Sequence, residues 1–366
     1  MRIGVPVETA PRERRVALVP DSVARLRKAG LEVVVERGAG LEAGFADAAY
    51  ERAGAALGGA AEALGAGLVL KVRRPSLEEA ERLASGAALA CLLQPAASRD
   101  LLQRLAARKV TALAMELVPR IGRAQSMDAL SSQATVAGYK AVLLGASHLA
   151  KLMPMLTTAA GTLAPARAFV IGAGVAGLQA VATARRLGAV VSAFDVRPAV
   201  KEQVQSLGAS FVEAAVAAEG AGGYAKELGS DQQAQVLAAV GRHLPDQDLV
   251  VCTAQVPGRP APRLVTEEMV RSMRPGSAVV DLAAESGGNC ALTRPGETVE
   301  AGGVTVIGPL DLAATVPFHA SQMYSRNLES LASHLWRDGA LRLDLQDEIT
   351  RAMAVAHGGE VRWEAP

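Results

Sequence analysis

One glycine-rich segment carries the best-defined chemistry in the sequence. Residues 168–177 read AFVIGAGVAG and fit the pattern G-x-G-x-x-G, directly after an apolar run and directly before a helical pattern. Gly172 permits a tight turn, Gly174 lets backbone N–H groups approach a pyrophosphate, and Gly177 lets helix and strand pack closely. Ala176 lies in the same fingerprint, at a helix N-terminus where free N–H groups favour an anion. The segment therefore predicts a dinucleotide-binding site.

An acidic residue closes the next apolar run. Asp195 lies 18 residues beyond Gly177, close to the roughly 20 expected for the carboxylate that hydrogen-bonds the adenosine ribose diol. A carboxylate there repels the 2′-phosphate of NADP, whereas Arg197 would attract it. Because the acid occupies the diol position itself, we favour NAD(H) as the cofactor.

A second glycine pair, Gly38 and Gly40, also fits the pattern when Ala43 is taken as its third small residue. The next predicted strand, however, ends in Lys71-Val-Arg73-Arg74 rather than in an acid. We interpret this pair as a plain turn. The chain is then expected to carry one dinucleotide site.

A polar segment at residues 120–133 reads RIGRAQSMDALSSQ. It places the guanidinium of Arg120, the amide of Gln125 and the carboxylate of Asp128 just before a long helical pattern. By composition alone, a helix cap with solvated neighbours explains the segment as well as a binding site does. Two-domain dehydrogenases hold the nicotinamide between their domains, and the chain passes from one predicted domain to the other here.

Histidine is the usual proton acceptor of a dehydrogenase. For each of the five histidines a solvated or core position is the favoured interpretation; they are His148, His243, His319, His334 and His357. His319 lies near a predicted domain junction, but no mechanism is built on it.

Composition excludes several classes of protein. The 366 residues are 50% hydrophobic and 20% charged, with 38 basic and 37 acidic side chains, which is typical of a folded protein of two domains and not of a nucleic-acid binder. The three cysteines lack CxxC spacing, so no metal site is expected. The N-terminus has no secretory h-region and no apolar run reaches about 18 residues, so we expect a cytoplasmic protein without membrane helices.

Apolar runs alternate with helical patterns in two series, which predicts an α/β fold of two doubly wound Rossmann-like domains with mainly parallel sheets, joined by long helices. The first domain is predicted at residues 1–130 plus 318–366 and lacks the fingerprint. The second, at residues 131–317, binds NAD(H). Helical patterns at 126–149 and from 317 to about 343 connect the two.

Motifs along the whole chain resemble the NAD(H)-binding subunit, domain I, of proton-translocating NAD(P) transhydrogenase. The resemblance is most specific in residues 124–134 with Arg120 before them, and in Ala137-Gly138-Tyr139. Further matching motifs are RRVALVP (14–20), GAGVAGLQA (172–180), FDVRP (194–198), GGYAKE (222–227), VDLAAESGGN (280–289) and HGG (357–359).

The resemblance implies roles for individual residues. Arg120, Gln125 and Asp128 would hold the nicotinamide and its ribose. Neighbouring positions assigned to the same site are Ser126, Met127, Ser131 and Tyr139. The rest of the NAD(H) pocket would be lined by Val175, Asp195, Val196, Arg197, Gly223, Gln235 and Gln255, with the loop around Tyr224 closing over the cofactor. Gln255 and Val256 depart from the aliphatic residues usual in the family, and the loop after Lys226 is shorter.

The resemblance also implies partners. Members of that family form a homodimer and work with a separate NADP(H)-binding subunit and with membrane-spanning subunits that carry protons. One fingerprint cannot bring two nicotinamides together, so hydride would pass directly between NADH on this chain and NADP⁺ on the partner. This chain would then lie peripherally on the cytoplasmic face of the inner membrane.

Alanine dehydrogenase is a related family and remains the alternative. It resembles this chain at Arg15 and Lys71, but it has a histidine where Gln94 stands and an aspartate where Glu285 stands. Oxidation of an amine requires proton transfers, and Gln94 cannot accept a proton. Hydride transfer between two nicotinamides requires none.

Overall fold

The structure is a computed structural model that describes residues 2–214, 229–255 and 260–364. The predictions made for Gly223, Tyr224 and Val256 fall outside these residues.

Apolar runs form most of the strands. Their bounds are β1 (Arg2–Val5), β2 (Glu32–Glu36), β3 (Ala56–Gly58), β4 (Leu68–Arg73), β5 (Ala88–Leu92), β6 (Thr111–Ala114), β7 (Leu156–Thr158), β8 (Gly161–Leu163), β9 (Arg167–Ile171), β10 (Val190–Phe194), β11 (Ser210–Val212), β12 (Leu249–Cys252), β13 (Ala278–Asp281), β14 (Thr298–Ala301), β15 (Val304–Ile307), β16 (Trp336–Arg337), β17 (Ala340–Leu341), β18 (Ala354–His357) and β19 (Glu360–Val361).

Amphipathic segments between the strands form helices. Their bounds are α1 (Pro20–Lys28), α2 (Asp47–Arg52), α3 (Ala60–Leu64), α4 (Leu77–Arg82), α5 (Arg99–Ala107), α6 (Ala129–Ala146), α7 (Val175–Arg186), α8 (Lys201–Ser206), α9 (Ser230–His243), α10 (Glu267–Arg271), α11 (Pro317–Leu335) and α12 (Glu348–Met353). Among the helices described, none is both long and apolar enough to cross a membrane.

The chain divides into two compact units. The first comprises Met1–Gln133 and Ala313–Pro366, and the second comprises Ala134–Leu312. In the first unit the strand order is β3-β2-β1-β4-β5-β6 with every pair parallel, and β18 and β19 continue the sheet antiparallel. In the second the order is β11-β10-β9-β12-β13-β15 with every pair parallel, and β14 pairs antiparallel at the edge.

Both sheets are buried on two faces, as a doubly wound fold requires. In β4, Leu68 and Leu70 contribute to one core cluster, whereas Val69 between them contributes to another. In β9, Val170 and Ile171 likewise belong to different clusters. The predicted fold class, α/β with two mainly parallel sheets, is confirmed.

Two predicted helices differ from those observed. The pattern at 126–149 becomes a 3₁₀ helix over Gly122–Met127 followed by α6, because Asp128 interrupts the backbone between them. The pattern from 317 to 343 gives a helix only to Leu335, since β16 and β17 form an antiparallel hairpin beyond it. The turn at Asp338 and Gly339, both with positive φ, allows that reversal.

Candidate functional site

The glycine turn after β9 leaves no space for side chains at two of its three glycines. Gly172 has φ of +94°, and a Cβ there would lie 2.8 Å from Thr253 Oγ1. At Gly177 a Cβ would lie 1.8 Å from the carbonyl oxygen of Gly172. The turn is therefore tight, and α7 packs directly against it.

The middle glycine faces a different environment. A Cβ on Gly174 would find its nearest neighbour, Arg197 Nη2, at 3.9 Å. Gly174 also precedes α7, a helix of 12 residues, and has no side chain with which to cap it. Val175, the first residue of α7, is 40% exposed. The helix N-terminus is therefore open to an anion, and the arrangement fits a pyrophosphate.

Asp195 stands at the end of β10, beside the glycine turn. Its Oδ2 accepts a hydrogen bond from the backbone N–H of Ala173 at 2.7 Å. Arg197 donates its Nε to Oδ1 at 2.8 Å and its Nη2 to Oδ2 at 2.6 Å. The carboxylate is thus fixed against the turn in an ion pair, where it can receive the hydroxyls of a ribose.

Sequence reasoning missed two polar residues that support the turn. Thr253, directly after β12, donates its hydroxyl to the Gly172 carbonyl oxygen at 2.7 Å. Asn289 accepts the N–H of Ala254 at 3.0 Å and donates to its carbonyl oxygen at 2.8 Å. A polar residue at the carboxyl end of the strand parallel to β9 is the signal that could have identified Thr253.

The polar segment of the first unit includes a helix cap. Asp128 Oδ1 accepts the backbone N–H of Ser131 at 2.9 Å, and Oδ2 accepts the Ser131 hydroxyl at 2.6 Å. The cap interpretation of this segment therefore holds for Asp128, and the bonds also fix the direction of its carboxylate. Arg120 and Gln125 are exposed. The side chain of Met127 lies in the core, so at that position the backbone remains for a ligand.

Buried polar residues hold this segment in place, and sequence reasoning did not identify them. Asn327 of α11 donates its Nδ2 to the Ser126 carbonyl oxygen at 2.8 Å and accepts the Ser132 hydroxyl at 2.7 Å. Arg15 donates its Nη1 to Gln133 Oε1 at 2.7 Å. These partners are separated from the segment by more than a hundred residues of sequence, so local patterns carry no signal for them.

Arg15 belongs to a buried ion-pair network in the first unit. Its guanidinium binds Glu13 at 2.6 Å, and Arg73 binds the same carboxylate at 3.0 Å. Lys71, wholly buried, lies 2.9 Å from Glu79 and 3.7 Å from Glu8. Burial raises the pKa of Glu8, and the Lys71 charge only partly offsets that effect. Burial alone would lower the pKa of Lys71, but the carboxylates of Glu8 and Glu79 outweigh it and raise the pKa.

The remaining predicted positions differ in how the structure holds them. Tyr139 lies on α6 and is 42% exposed, one residue after Gly138, whose Cβ would lie 2.1 Å from the Ala176 carbonyl oxygen. Gln255 donates its Nε2 to the Leu282 carbonyl oxygen at 2.9 Å. Gln235 is an exposed residue of α9. Val196 is partly buried beside the core of the second unit.

The histidines have structural partners or exposed positions. His334 bonds Asp347, the cap of α12, at 3.1 Å. His243 lies 2.7 Å from the Ser192 hydroxyl, and His357 lies 3.0 Å from the Thr111 hydroxyl. Burial, the largest influence, lowers the pKa of His243. His148 bonds the carbonyl oxygen of its own helix, and the His319 ring stacks edge-on against Phe318.

The second glycine pair forms a turn, as its sequence context predicts. Residues 41–43 make a single 3₁₀ turn, closed by Gly44 with φ of +85°. A Cβ on Gly40 would lie 2.6 Å from the Tyr50 ring. Within the described residues, no group of three or more His, Cys, Asp or Glu side chains could hold a metal ion.

Comparison with known families agrees with this geometry. The family model "Alanine dehydrogenase/PNT, N-terminal domain" matches residues 4–137, and "Alanine dehydrogenase/PNT, C-terminal domain" matches residues 141–364. A relative from Rhodospirillum rubrum, the first part of a divided NAD(P) transhydrogenase subunit alpha, is 47% identical over 374 residues, which cover 99% of this chain and 97% of the relative.

A crystal structure of transhydrogenase from Sinorhizobium meliloti superposes with a TM-score of 0.91 at 48% identity, covering 99% of this chain and all of that one. Alanine dehydrogenase of Bacillus subtilis is more distant, at 31% identity over the whole of this chain and 93% of its own length. The chain therefore belongs to the alanine dehydrogenase/PNT family and, within that family, resembles the NAD(P) transhydrogenase alpha subunits more closely than it resembles alanine dehydrogenase.

Proposed function

We propose that this chain is the NAD(H)-binding subunit of a proton-translocating, Re/Si-specific NAD(P)⁺ transhydrogenase. It would bind NAD(H) on residues 131–317 and orient the nicotinamide for direct hydride transfer to or from NADP(H) held by a partner subunit. When bound, NADH supplies the hydride. The chain's own residues bind the cofactor, orient it and exclude water.

One observation carries the proposal: the glycine turn, the open end of α7 and the fixed carboxylate of Asp195 stand together in the order that a dinucleotide requires. Gly174 leaves the approach to the α7 N–H groups unblocked, with the nearest atom to a Cβ at 3.9 Å. Asp195 offers acceptors for a ribose diol and repels a 2′-phosphate. The residues present therefore fit NAD(H).

In this proposal Arg120, Gln125 and Asp128 orient the nicotinamide rather than exchange protons with it. Supporting contacts come from Ser126, from the backbone at Met127, and from Ser131 and Tyr139. Hydride transfer between two nicotinamide rings needs only near contact, about 3–3.5 Å, in a site without water. That requirement accords with histidines that serve structural bonds or lie exposed.

Further contacts to the cofactor are proposed from Val175, Val196, Arg197, Gln235 and Gln255. The proposal also includes Gly223 and Tyr224, in a loop that closes over the bound cofactor.

A partner is part of the proposal because a single nucleotide site cannot bring two nicotinamides together. We propose a homodimer of this chain, joined to an NADP(H)-binding subunit and to membrane-spanning subunits that move protons, at the cytoplasmic face of the inner membrane. The relatives support this assignment, since they are described as alpha subunits, or portions of alpha subunits, of a transhydrogenase.

The proposal is tested in two steps. Titration of the purified chain with NADH and with NADPH, followed by nicotinamide fluorescence, is expected to show preferential binding of NADH. Mixing with the NADP(H)-binding subunit is then expected to give transfer from NADH to an NADP⁺ analogue. The rival activity is tested on the chain alone with NAD⁺ and L-alanine, and robust turnover there would overturn the proposal.

A further inference from the structure

Asn327 is a buried amide in the middle of a helix, where asparagine has no local advantage. It lies in α11 and is 7% exposed. Asparagine is a weak helix former, and a buried amide is unfavourable unless its donors and acceptor are bonded. Both ends of this amide are bonded, and both bonds go to one short segment.

The two bonds span the polar segment proposed to hold the nicotinamide. Nδ2 donates to the Ser126 carbonyl oxygen at 2.8 Å, and Oδ1 accepts the Ser132 hydroxyl at 2.7 Å. The Ser126 carbonyl can only accept, so the amide nitrogen must face it and the orientation of Asn327 is determined. Between these two anchors lies Asp128, and Gln125 immediately precedes the first of them.

Further bonds make the network continuous. Gln133 Nε2 donates to the Ser132 hydroxyl oxygen at 3.1 Å and to the Ala320 carbonyl oxygen at 3.1 Å. Gln133 Oε1 accepts from Arg15, which is itself bound by Glu13. Burial would raise the pKa of Glu13, but hydrogen bonds and the charge of Arg15 hold it below the ordinary value, so the network ends in a stable ion pair.

We infer that Asn327 is a positioning residue for hydride transfer: it acts through the backbone at Ser126 and the hydroxyl of Ser132 to hold Gln125 and Asp128 in the orientation that the nicotinamide requires. This inference rests on the proposed function. Asn327 acts on the segment and not on the cofactor, so its contribution belongs to the geometry of transfer. The adenosine end of NADH is held elsewhere, by the glycine turn and Asp195.

The first test is Asn327→Ala in the complex reconstituted with the NADP(H)-binding subunit. Misplacement of an orienting group by about 1 Å lowers a rate by roughly 100-fold, so we expect transfer at saturating NADH to fall by about 10- to 100-fold. The dissociation constant for NADH, measured by fluorescence, is expected to stay within a factor of about three, because the lost interaction orients rather than binds.

Asn327→Asp gives a readout that a merely structural role would not move. A protonated aspartic acid has an O–H donor for the Ser126 carbonyl and an oxygen that accepts from Ser132, whereas an ionised one has no donor. The charged groups that the network connects to this position are Arg15 and Glu13, which pair with each other. The rate of Asn327→Asp relative to wild type is therefore expected to be near normal at low pH and to fall as pH rises, since the wild-type amide does not titrate.

Ser325→Ala is the matched control. Ser325 lies on the same helix and is fully buried, and its hydroxyl accepts the Val19 N–H at 3.0 Å, away from the polar segment. This variant is expected to lose stability comparably to Asn327→Ala but to transfer hydride at the wild-type rate.

The outcomes separate the inference from the function. If wild type transfers hydride and Asn327→Ala transfers equally well, the inference is overturned and the proposed function stands. A pH-independent loss in Asn327→Asp, or an equal loss in Ser325→Ala, also overturns it, because either points to general destabilisation. A wild-type complex that binds NADH but transfers nothing overturns the proposed function together with the inference.

Discussion

The guanidinium of Arg197 binds both oxygens of the Asp195 carboxylate, with Nε 2.8 Å from Oδ1 and Nη2 2.6 Å from Oδ2. The two residues are separated by one position, and the Arg197 backbone N–H also donates to Oδ1 at 2.9 Å. The side chains are largely buried, at 5% exposure for Asp195 and 18% for Arg197. The pair therefore places a cation beside the carboxylate expected to select against a 2′-phosphate.

Arg197→Ala is expected to sharpen the preference for NADH over NADPH. Loss of the cation leaves the Asp195 charge uncompensated, and a charge-assisted hydrogen bond of about 1.5–3 kcal/mol corresponds to a change of roughly tenfold or more in relative affinity. The measurement is the ratio of NADPH to NADH dissociation constants by fluorescence titration. Asp195→Asn is the paired variant and should lower the same ratio; a rise in that variant would contradict the role given to Asp195.

Gly138→Ala is expected to damage the dinucleotide site from the side of α6. A Cβ there would lie 2.1 Å from the Ala176 carbonyl oxygen, which is backbone of the glycine fingerprint and cannot move alone. Overpacking of this kind destabilises by about 1–3 kcal/mol, and displacement of the turn should weaken NADH binding at least tenfold. Urea unfolding and NADH titration measure the two effects.

Gly241→Ala is the control for Gly138→Ala, since it also changes a glycine inside a helix. Its Cβ would meet only the flexible side chain of Met269, at 3.0 Å and beyond. We expect unchanged NADH binding and equal or higher stability, because alanine favours helix by about 1 kcal/mol. Equal loss of binding in both variants would show that the effect is not specific to Ala176.

Sequence reasoning identified the elements whose signals are local. Apolar runs gave the strands of both sheets, and the spacing of Gly172, Gly174 and Gly177 gave the turn, because strand burial and backbone sterics are written in neighbouring residues. The cap at Asp128 was one of two interpretations offered by its own segment. For the same reason the hairpin at 336–341 was missed: its residues continue the preceding helical pattern.

The residues that sequence reasoning could not find are those whose partners are distant. Asn327 and Ser126 are 201 positions apart, and Thr253 and Gly172 are 81 apart. A single polar residue in an apolar helix or after a strand is uninformative until the fold places an acceptor beside it. Met127 shows the converse, because a side chain inside a polar motif turns into the core.

Asp128→Asn separates the cap from the proposed contact with the nicotinamide. Asparagine caps helices as well as aspartate does, so unfolding free energy should change by less than about 0.5 kcal/mol, whereas Asp128→Ala should lose about 0.5–2 kcal/mol. If the carboxylate also orients the cofactor, both variants should transfer hydride at least about tenfold more slowly than wild type. Wild-type transfer by Asp128→Asn would reduce the role of this residue to capping.

Lys71→Met is expected to destabilise the first unit in a pH-dependent way. The change leaves the buried carboxylates of Glu8 and Glu79 without their shared cation, and breaking a buried pair from one side costs about 3–5 kcal/mol near neutral pH. Burial already raises the pKa of Glu8 above its ordinary value of 4.5, and loss of the Lys71 charge raises it further. A carboxyl whose pKa is raised by folding binds its proton more tightly in the folded state, so stability is gained as pH falls through the raised value.

The deficit of Lys71→Met relative to wild type should therefore shrink between about pH 7 and about pH 5, measured by urea unfolding at each pH. Arg25→Ala is the control, because its ion pair with Glu329 is 45% exposed on the arginine side. An exposed pair contributes at most about 1 kcal/mol, so its loss should be small and nearly independent of pH over that range. A constant deficit in Lys71→Met would mean that lost packing of the lysine stem, rather than the unpaired carboxylates, accounts for the destabilisation.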